Sequence, residues 1–329
     1  MDDLTGLVEG ALGQLGRTYL ISGLVPALVG VAAFQYLVIV GEPLDLFPAL
    51  AEPLLGFLDG PLLTTVVLGL VLAFVPLLFN RALIRLYEGF FPGAKLLPSH
   101  LVFKRLHANL YADVAQLRAE RRRLLTSYEM GGDYDEERDG QLQQIISAKH
   151  SEREPVHPVP IIPFDEANIR PTLYGNAWSV NEEYPLTRYG IASMVLWPYL
   201  RTVTAQVDPD LLATIDGQKL LMDTTLTFSF VMVLVLIGAL VSLIITGELS
   251  LLAVAAVALL LAVAFYRAAI AFVRAMGTFQ GQVYDLYRHH LLERFGLEKP
   301  DDLDDEYWVW QRLAAFIRRG EPFYFEYLE

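Results

Sequence analysis

TLTFSFVMVLVLIGALVSLIITGELSLLAVAAVALLLAVAFYRAAIAFVRAMGTFQGQVYDLYRHHLLERF, residues 225–295, is the stretch whose reading decides the fold. It holds two apolar spans back to back, Leu226 to Thr246 and Leu249 to Val273, with only Gly247 and Glu248 between them. Each is long enough to cross a hydrocarbon layer about 30 Å thick as a helix, so the pair predicts a transmembrane hairpin. The second arm keeps its helical pattern past Arg274, Gln280, Tyr284, Arg288 and Glu293, and no proline follows until Pro300. At a rise of about 1.5 Å per residue, positions 249–295 would form a helix of about 70 Å, more than a membrane needs. The excess length predicts a helix that continues from the bilayer into the cytoplasm.

Working outward, composition agrees with a membrane class. Hydrophobic residues make up 54% of the 329 positions and the mean hydropathy is +0.38, above an ordinary soluble domain. Cysteine is absent, which excludes disulfides, thiolate metal sites and a cysteine nucleophile. The net charge of -13 argues against non-specific nucleic-acid binding, which needs a basic footprint.

Two further spans are expected upstream. Residues 1–17 read as an amphipathic segment on the inner surface, with Asp2 and Asp3 at a helix start. Residues 18–89 read as a first transmembrane hairpin. Its first span, Thr18 to Val40, is kinked at Pro26, and Gly23, Ala27 and Gly30 make a small-residue stripe suited to close helix packing. It is too long for a signal-peptide core. Its second span runs from Pro61 to Phe79. The loop between them, 41–61, carries Glu42, Asp45, Glu52 and Asp59 without lysine or arginine. Cations instead flank the opposite ends: Arg17, Arg81, Arg85, Lys219 and Arg274. The positive-inside rule then puts both termini in the cytoplasm and the acidic loop outside.

No ionisable side chain lies in the middle of any span, and Arg267 sits where it can snorkel to the inner interface. Proton relays and ion-coupled carriers keep such residues at depth, so a conventional secondary transporter is disfavoured.

Residues 90–224 read as a cytoplasmic, mainly helical domain. Leu101, Leu106, Leu110, Val114, Leu117 and Leu125 predict a long helix with Arg118, Arg121, Arg122 and Arg123 late in it. Those arginines suit a helix C-terminus or, in the sharper reading, an anionic ligand. Met130–Gly140, MGGDYDEERDG, is a loop without calcium-loop spacing, and Gln141–Ser151 resumes a helix. Pro155, Pro158, Pro160 and Pro163 force an extended stretch. The densest block follows, LYGNAWSVNEEYPLTRYGIASMVLWPYL, Leu173–Leu200. Within it Glu182, Glu183, Tyr184, Arg188 and Tyr189 are the candidate ligand- or partner-binding residues, although an internal Arg–carboxylate bond accounts for the same pattern.

RLYEGF (Arg85–Phe90), the GN…EEYPLTRYGI…LWPYL block and the terminal FIRRGEPFY (Phe316–Tyr324) together resemble an uncharacterised bacterial family of multi-span membrane proteins. The resemblance covers most of the chain and implies architecture alone, with no activity attached. The chain departs from the family pattern at Tyr174 and Tyr199, where the family carries arginine.

The remaining features read structurally. Residues 225–275 form the second hairpin and 276–329 a cytoplasmic helical extension with an aromatic tail. Gly277 and Gly281 each cost about 1 kcal/mol in a helix interior, so a close crossing is expected there. His289 and Glu293 lack a third metal ligand. Asp301, Asp302, Asp304 and Asp305 resemble a diphosphate-binding aspartate cluster but sit at the start of a helix, 304–318, stopped by Gly320.

The expectation is therefore an all-α integral membrane protein with four transmembrane helices, located in a bacterial inner membrane. No cofactor and no metal is expected, and no Walker A, HExxH, GxSxG or GxGxxG motif occurs. The favoured function is a non-catalytic assembly that self-associates, or binds another membrane protein, and couples its cytoplasmic domain to the membrane helices. An accessory subunit of a larger complex and a lipid- or isoprenoid-processing enzyme are the alternatives.

Overall fold

In the computed structural model the described residues are 23–41, 74–112, 162–320 and scattered positions between 116 and 145. All regular structure among them is helical. The expected segment 1–17, loop 42–61, Arg121, Arg122, most of the proline-rich stretch and the aromatic tail beyond Gly320 lie outside the described residues.

Eight helices are named here in chain order: α1 Val25–Gly41, α2 Phe74–Glu88, α3 Pro98–Leu110, α4 Leu173–Tyr189, α5 Ser193–Val207, α6 Pro209–Thr246, α7 Ser250–Arg294 and α8 Leu303–Arg319. They fall into two compact units, residues 1–87 with 204–283, and residues 88–203 with 284–329.

The first unit is built on α6 and α7. Asp208 starts α6, its side chain accepting from the Leu211 N–H with Pro209 in the first turn, where a missing donor does no harm. Gly247, at φ 67, ends it, and Ser250 begins α7 three residues later. The seam between these helices is small and apolar: Met232, Val235 and Ala239 of α6 meet Leu251, Ala255, Ala258 and Ala262 of α7. Ser229 Oγ donates to the Ala262 carbonyl at 3.0 Å, and Phe228 stacks on Phe265 with ring centroids 4.8 Å apart. Small side chains let the backbones approach, the usual route to helix association in lipid.

The other faces of both helices are apolar and outward. Leu234, Ile237, Leu240, Val241 and Ile244 of α6 and Leu252, Val257, Leu259, Leu260 and Val263 of α7 are exposed. Only 28% and 22% of their most apolar stretches are buried within the protein. These are the two helices among the described residues that are long and apolar enough to cross a membrane.

The small-residue stripe of α1 meets α6. Gly23, Ala27 and Val31 are buried, and a Cβ at Gly30 would stand 2.8 Å from Val231 Cγ1. On α2, Asn80 Nδ2 donates to Asp223 Oδ2 at 3.2 Å, and Lys219 Nζ reaches the same oxygen at 2.6 Å. Tyr87 donates to Ser229 Oγ at 2.9 Å. Of the α7 glycines, Gly281 is buried and Gly277 half-buried.

The second unit differs from the sequence reading at one helix. The run expected through Leu125 is interrupted at Tyr111, which leaves helical geometry at φ -115 and closes α3, and the described residues beyond it, 112, 116–117, 120 and 123–124, are helical again. His107 Nε2 bonds the Phe164 carbonyl and Tyr111 packs edge-on against Phe164, so this helix end is pinned by the strap at 162–169.

Two substitutions test the α1–α6 contact. Gly30→Leu is expected to lower the melting temperature in detergent, and Val231→Ala added to it to recover part of the loss, because the clash lies between these side chains. Strictly additive effects in the double variant would contradict the contact.

Candidate functional site

The Leu173–Leu200 block forms α4 and the start of α5, both in the second unit. Thr172 caps α4 by accepting from the Gly175 N–H at 2.9 Å. A Cβ at Gly175 would collide with the Glu88 carbonyl, so only glycine lets the backbones meet there. Gly190 closes α4 at φ 75, and a Cβ there would sit 2.6 Å from the Tyr307 ring. Its glycines thus mark two close backbone approaches.

Glu183 is 5% exposed and holds the strap before α4. It accepts from the Phe164 N–H at 2.6 Å, the Asp165 N–H at 2.9 Å and Asn168 Nδ2 at 2.7 Å. Asn176 Oδ1 accepts from the Arg170 N–H at 2.7 Å, and Ser179 donates to the Asn168 carbonyl at 2.9 Å. Polar side chains at 176, 179 and 183 lie on one face of the helix, at the spacing that stacks residues three and four apart. Together they supply bonds that the irregular strap cannot make for itself.

Glu182 lies beside this face and meets Arg170. The guanidinium stands 2.7 Å from Glu182, 3.5 Å from Glu88 and 4.9 Å from the Phe90 ring centroid. Burial pushes both Glu182 and Glu183 above the ordinary carboxylate range, against the opposing pull of Arg170 on the first and of the Asn168 and backbone donors on the second.

The last two turns of α4 face Asp285 of α7. Tyr184 Oη lies 2.9 and 2.8 Å from the two Asp285 oxygens, and Tyr189 donates to Oδ1 at 2.6 Å. Arg188 donates to Tyr184 Oη at 2.8 Å. Burial, together with the bond to Asp285, pushes the Tyr189 phenol above its usual range.

Arg288, one turn along α7, extends the array. It covers the Tyr189 ring at 4.1 Å and donates through Nε to Glu306 of α8 at 2.7 Å. Glu306, 3% exposed, also accepts from Trp310 Nε1 at 3.1 Å, and His289 Nε2 lies 3.1 Å from the same oxygen. Burial would raise Glu306, but the bonds from Arg288 and Trp310 and the Arg288 charge outweigh it and hold the carboxyl below its ordinary range. Burial and the neighbouring Arg288 charge lower His289.

The structure thus brings Tyr184, Arg188 and Tyr189 together around Asp285, and sets Glu183 of α4 against the strap and Glu182 against Arg170. Arg123 is helical and exposed. His289 meets Glu306 rather than acting with Glu293, and among the described residues no group of three metal-ligating side chains comes together. Asp302 caps α8 through the Asp305 N–H at 2.8 Å.

Sequence reading missed Arg170, Asp285 and Glu306. Asp285 had a signal, being the only acidic residue between Glu248 and Glu293. In comparisons with known proteins, no family model, no curated protein and no solved structure matches this chain.

Glu183→Ala is expected to destabilise the protein by about 3 kcal/mol or more, since buried donors left unpaired cost about 1–3 kcal/mol each. Glu182→Gln, with one side of Arg170 still held by Glu88, should cost much less. Urea unfolding of the pair in detergent checks the order.

A pH titration addresses Glu306. Its depressed carboxyl stabilises the fold above the ordinary carboxylate range, and that contribution is lost as pH falls through the folded-state value. Glu182 and Glu183, being raised, act in the opposite sense. Glu306→Gln is therefore expected to flatten the acid-induced change in tryptophan fluorescence relative to the unaltered protein.

Proposed function

We propose that this chain is a non-catalytic integral membrane protein of a bacterial inner membrane. In this reading its second unit binds a partner or ligand in the cytoplasm and α7 carries the event to the membrane helices. One observation carries the reading: α7 is a single unbroken helix over Ser250–Arg294. Its early residues, Leu252 to Val263, present an apolar outer surface, while Asp285, Arg288 and His289 form polar bonds with α4 and α8. Residues 250–283 of α7 belong to the first unit and 284–294 to the second, so in this reading α7 is the element through which a signal would pass.

The four-span topology with both termini inside belongs to this proposal. Outward-facing apolar side chains on α6 and α7 support the second hairpin, and the α1 stripe against α6 supports a neighbouring span. The chain lacks cysteine, so single introduced thiols would report sidedness without background. A thiol at Gly320 should be blocked only after the inner face is opened, and one at Asp59 by an impermeant reagent from outside.

Self-assembly is part of this reading, because the outer faces of α6 and α7 are uncovered within the chain and can meet lipid or further copies. Glu182, Glu183, Tyr184, Arg188 and Tyr189 remain the proposed binding block, with Arg121, Arg122 and Arg123 as the proposed anionic-ligand patch. Native mass in nanodiscs tests the assembly directly. A homo-oligomer, or a stoichiometric membrane partner, is expected; a lone monomer under all lipid conditions would overturn the proposal.

A further inference from the structure

Helix α3 departs from the usual amphipathic rule in part, although Phe103, Leu106 and Leu110 are half-buried. Its two histidines point inward, His100 at 7% and His107 at 9% exposure, while Leu101 and Val102 point outward at 59% and 52%. The outward pair continues into the residues just before the helix, where Leu96 and Leu97 are also exposed. Scattered exposed leucines need no explanation, but a contiguous apolar patch on a helix that buries imidazoles does.

The chain segment that carries the patch is basic. Residues 89–112 contain Lys95, Lys104 and Arg105 and no aspartate or glutamate, in a chain whose net charge is -13. All three cations are exposed. Lys104 stands 3.3 Å from Glu166, a solvated pair of little strength that can exchange for another anion. Exposed apolar side chains in a segment with three exposed cations match the interface of an anionic bilayer, where the leucines enter the headgroup boundary and the cations meet phosphates.

We propose that Leu96, Leu97, Leu101 and Val102 rest in the headgroup region of an anionic bilayer, with Lys95, Lys104 and Arg105 on lipid phosphates. The inference rests on the membrane reading above, because the bilayer it needs is the one that α6 and α7 occupy. Its consequence is that the second unit is held on the lipid surface by a patch of its own, sensitive to headgroup charge.

Environment-sensitive fluorophores on single thiols test it in the full chain. Leu101→Cys carries the question, Val257→Cys of α7 reports the membrane reading and Asp301→Cys reports water. The labelled proteins are placed in nanodiscs of phosphatidylglycerol with phosphatidylcholine, or of phosphatidylcholine alone, with headgroup-depth spin-labelled lipid or aqueous iodide as quencher.

The label at 101 is expected to be quenched by lipid at least about threefold more than that at 301, and less so in phosphatidylcholine alone or with Lys95→Glu, Lys104→Glu and Arg105→Glu combined. If 257 responds to lipid while 101 follows 301, the inference is overturned and the membrane reading stands. If 257 ignores lipid, the membrane reading fails and takes the inference with it. Shielding of 101 from both quenchers, seen only in discs that hold several copies, would assign the patch to a second copy and overturn the lipid assignment.

Discussion

The outward apolar surface of α6 and α7 is the constraint on which the rest of the structure depends. Moving one leucine or isoleucine from water to an apolar setting gains about 1.5–3 kcal/mol, and a whole domain is stable by only about 5–15 kcal/mol. The exposed side chains from Leu234 to Ile244 and from Leu252 to Val263 would forgo an amount comparable to that total in water. A bilayer removes the difficulty. It also accounts for the inner seam: where lipid is as apolar as leucine, helices associate through close packing, and Ala255, Ala258 and Ala262 against Ala239 supply it.

Given that hairpin, the extension of α7 acquires its meaning. The helix presents Asp285 to Tyr184 and Tyr189, and Arg288 to Glu306. Carboxylate, phenols and guanidinium satisfy one another in a chain of charge-assisted bonds, in which removal of one member leaves others buried and unpaired. The EEYPLTRY segment is dense in chemistry because it performs two mechanical tasks at once. Glu183 ties down the strap ahead of α4, and the two tyrosines tie α4 to α7. Neither task excludes a ligand, but both explain the residue types without one.

Much of this was legible in the sequence. Apolar length gave the hairpin, Gly247 and Gly320 gave the helix stops, and Asp302 with its neighbours was read as a helix start rather than a cluster for diphosphate. The candidate site was legible only by composition. Which of Glu182 and Glu183 turns inward depends on a strap whose path no local rule sets, and Asp285 finds its tyrosines about a hundred residues away in the chain. The leucine period that suggested a helix to Leu125 could not register the break at Tyr111, which packs against Phe164. Nor could hydropathy anticipate α3, where the histidines took the inside and Leu101 and Val102 the outside.

A spin-label accessibility scan along α7, comparing oxygen with a water-soluble nickel chelate at successive positions from 250 to 294, addresses the central claim most directly. The account predicts one uninterrupted helical period, oxygen-favoured on the outer face through Val263 and chelate-favoured by Leu286. A break in the period between Arg274 and Tyr284, or chelate access throughout the apolar half, would contradict a single helix passing from lipid to water.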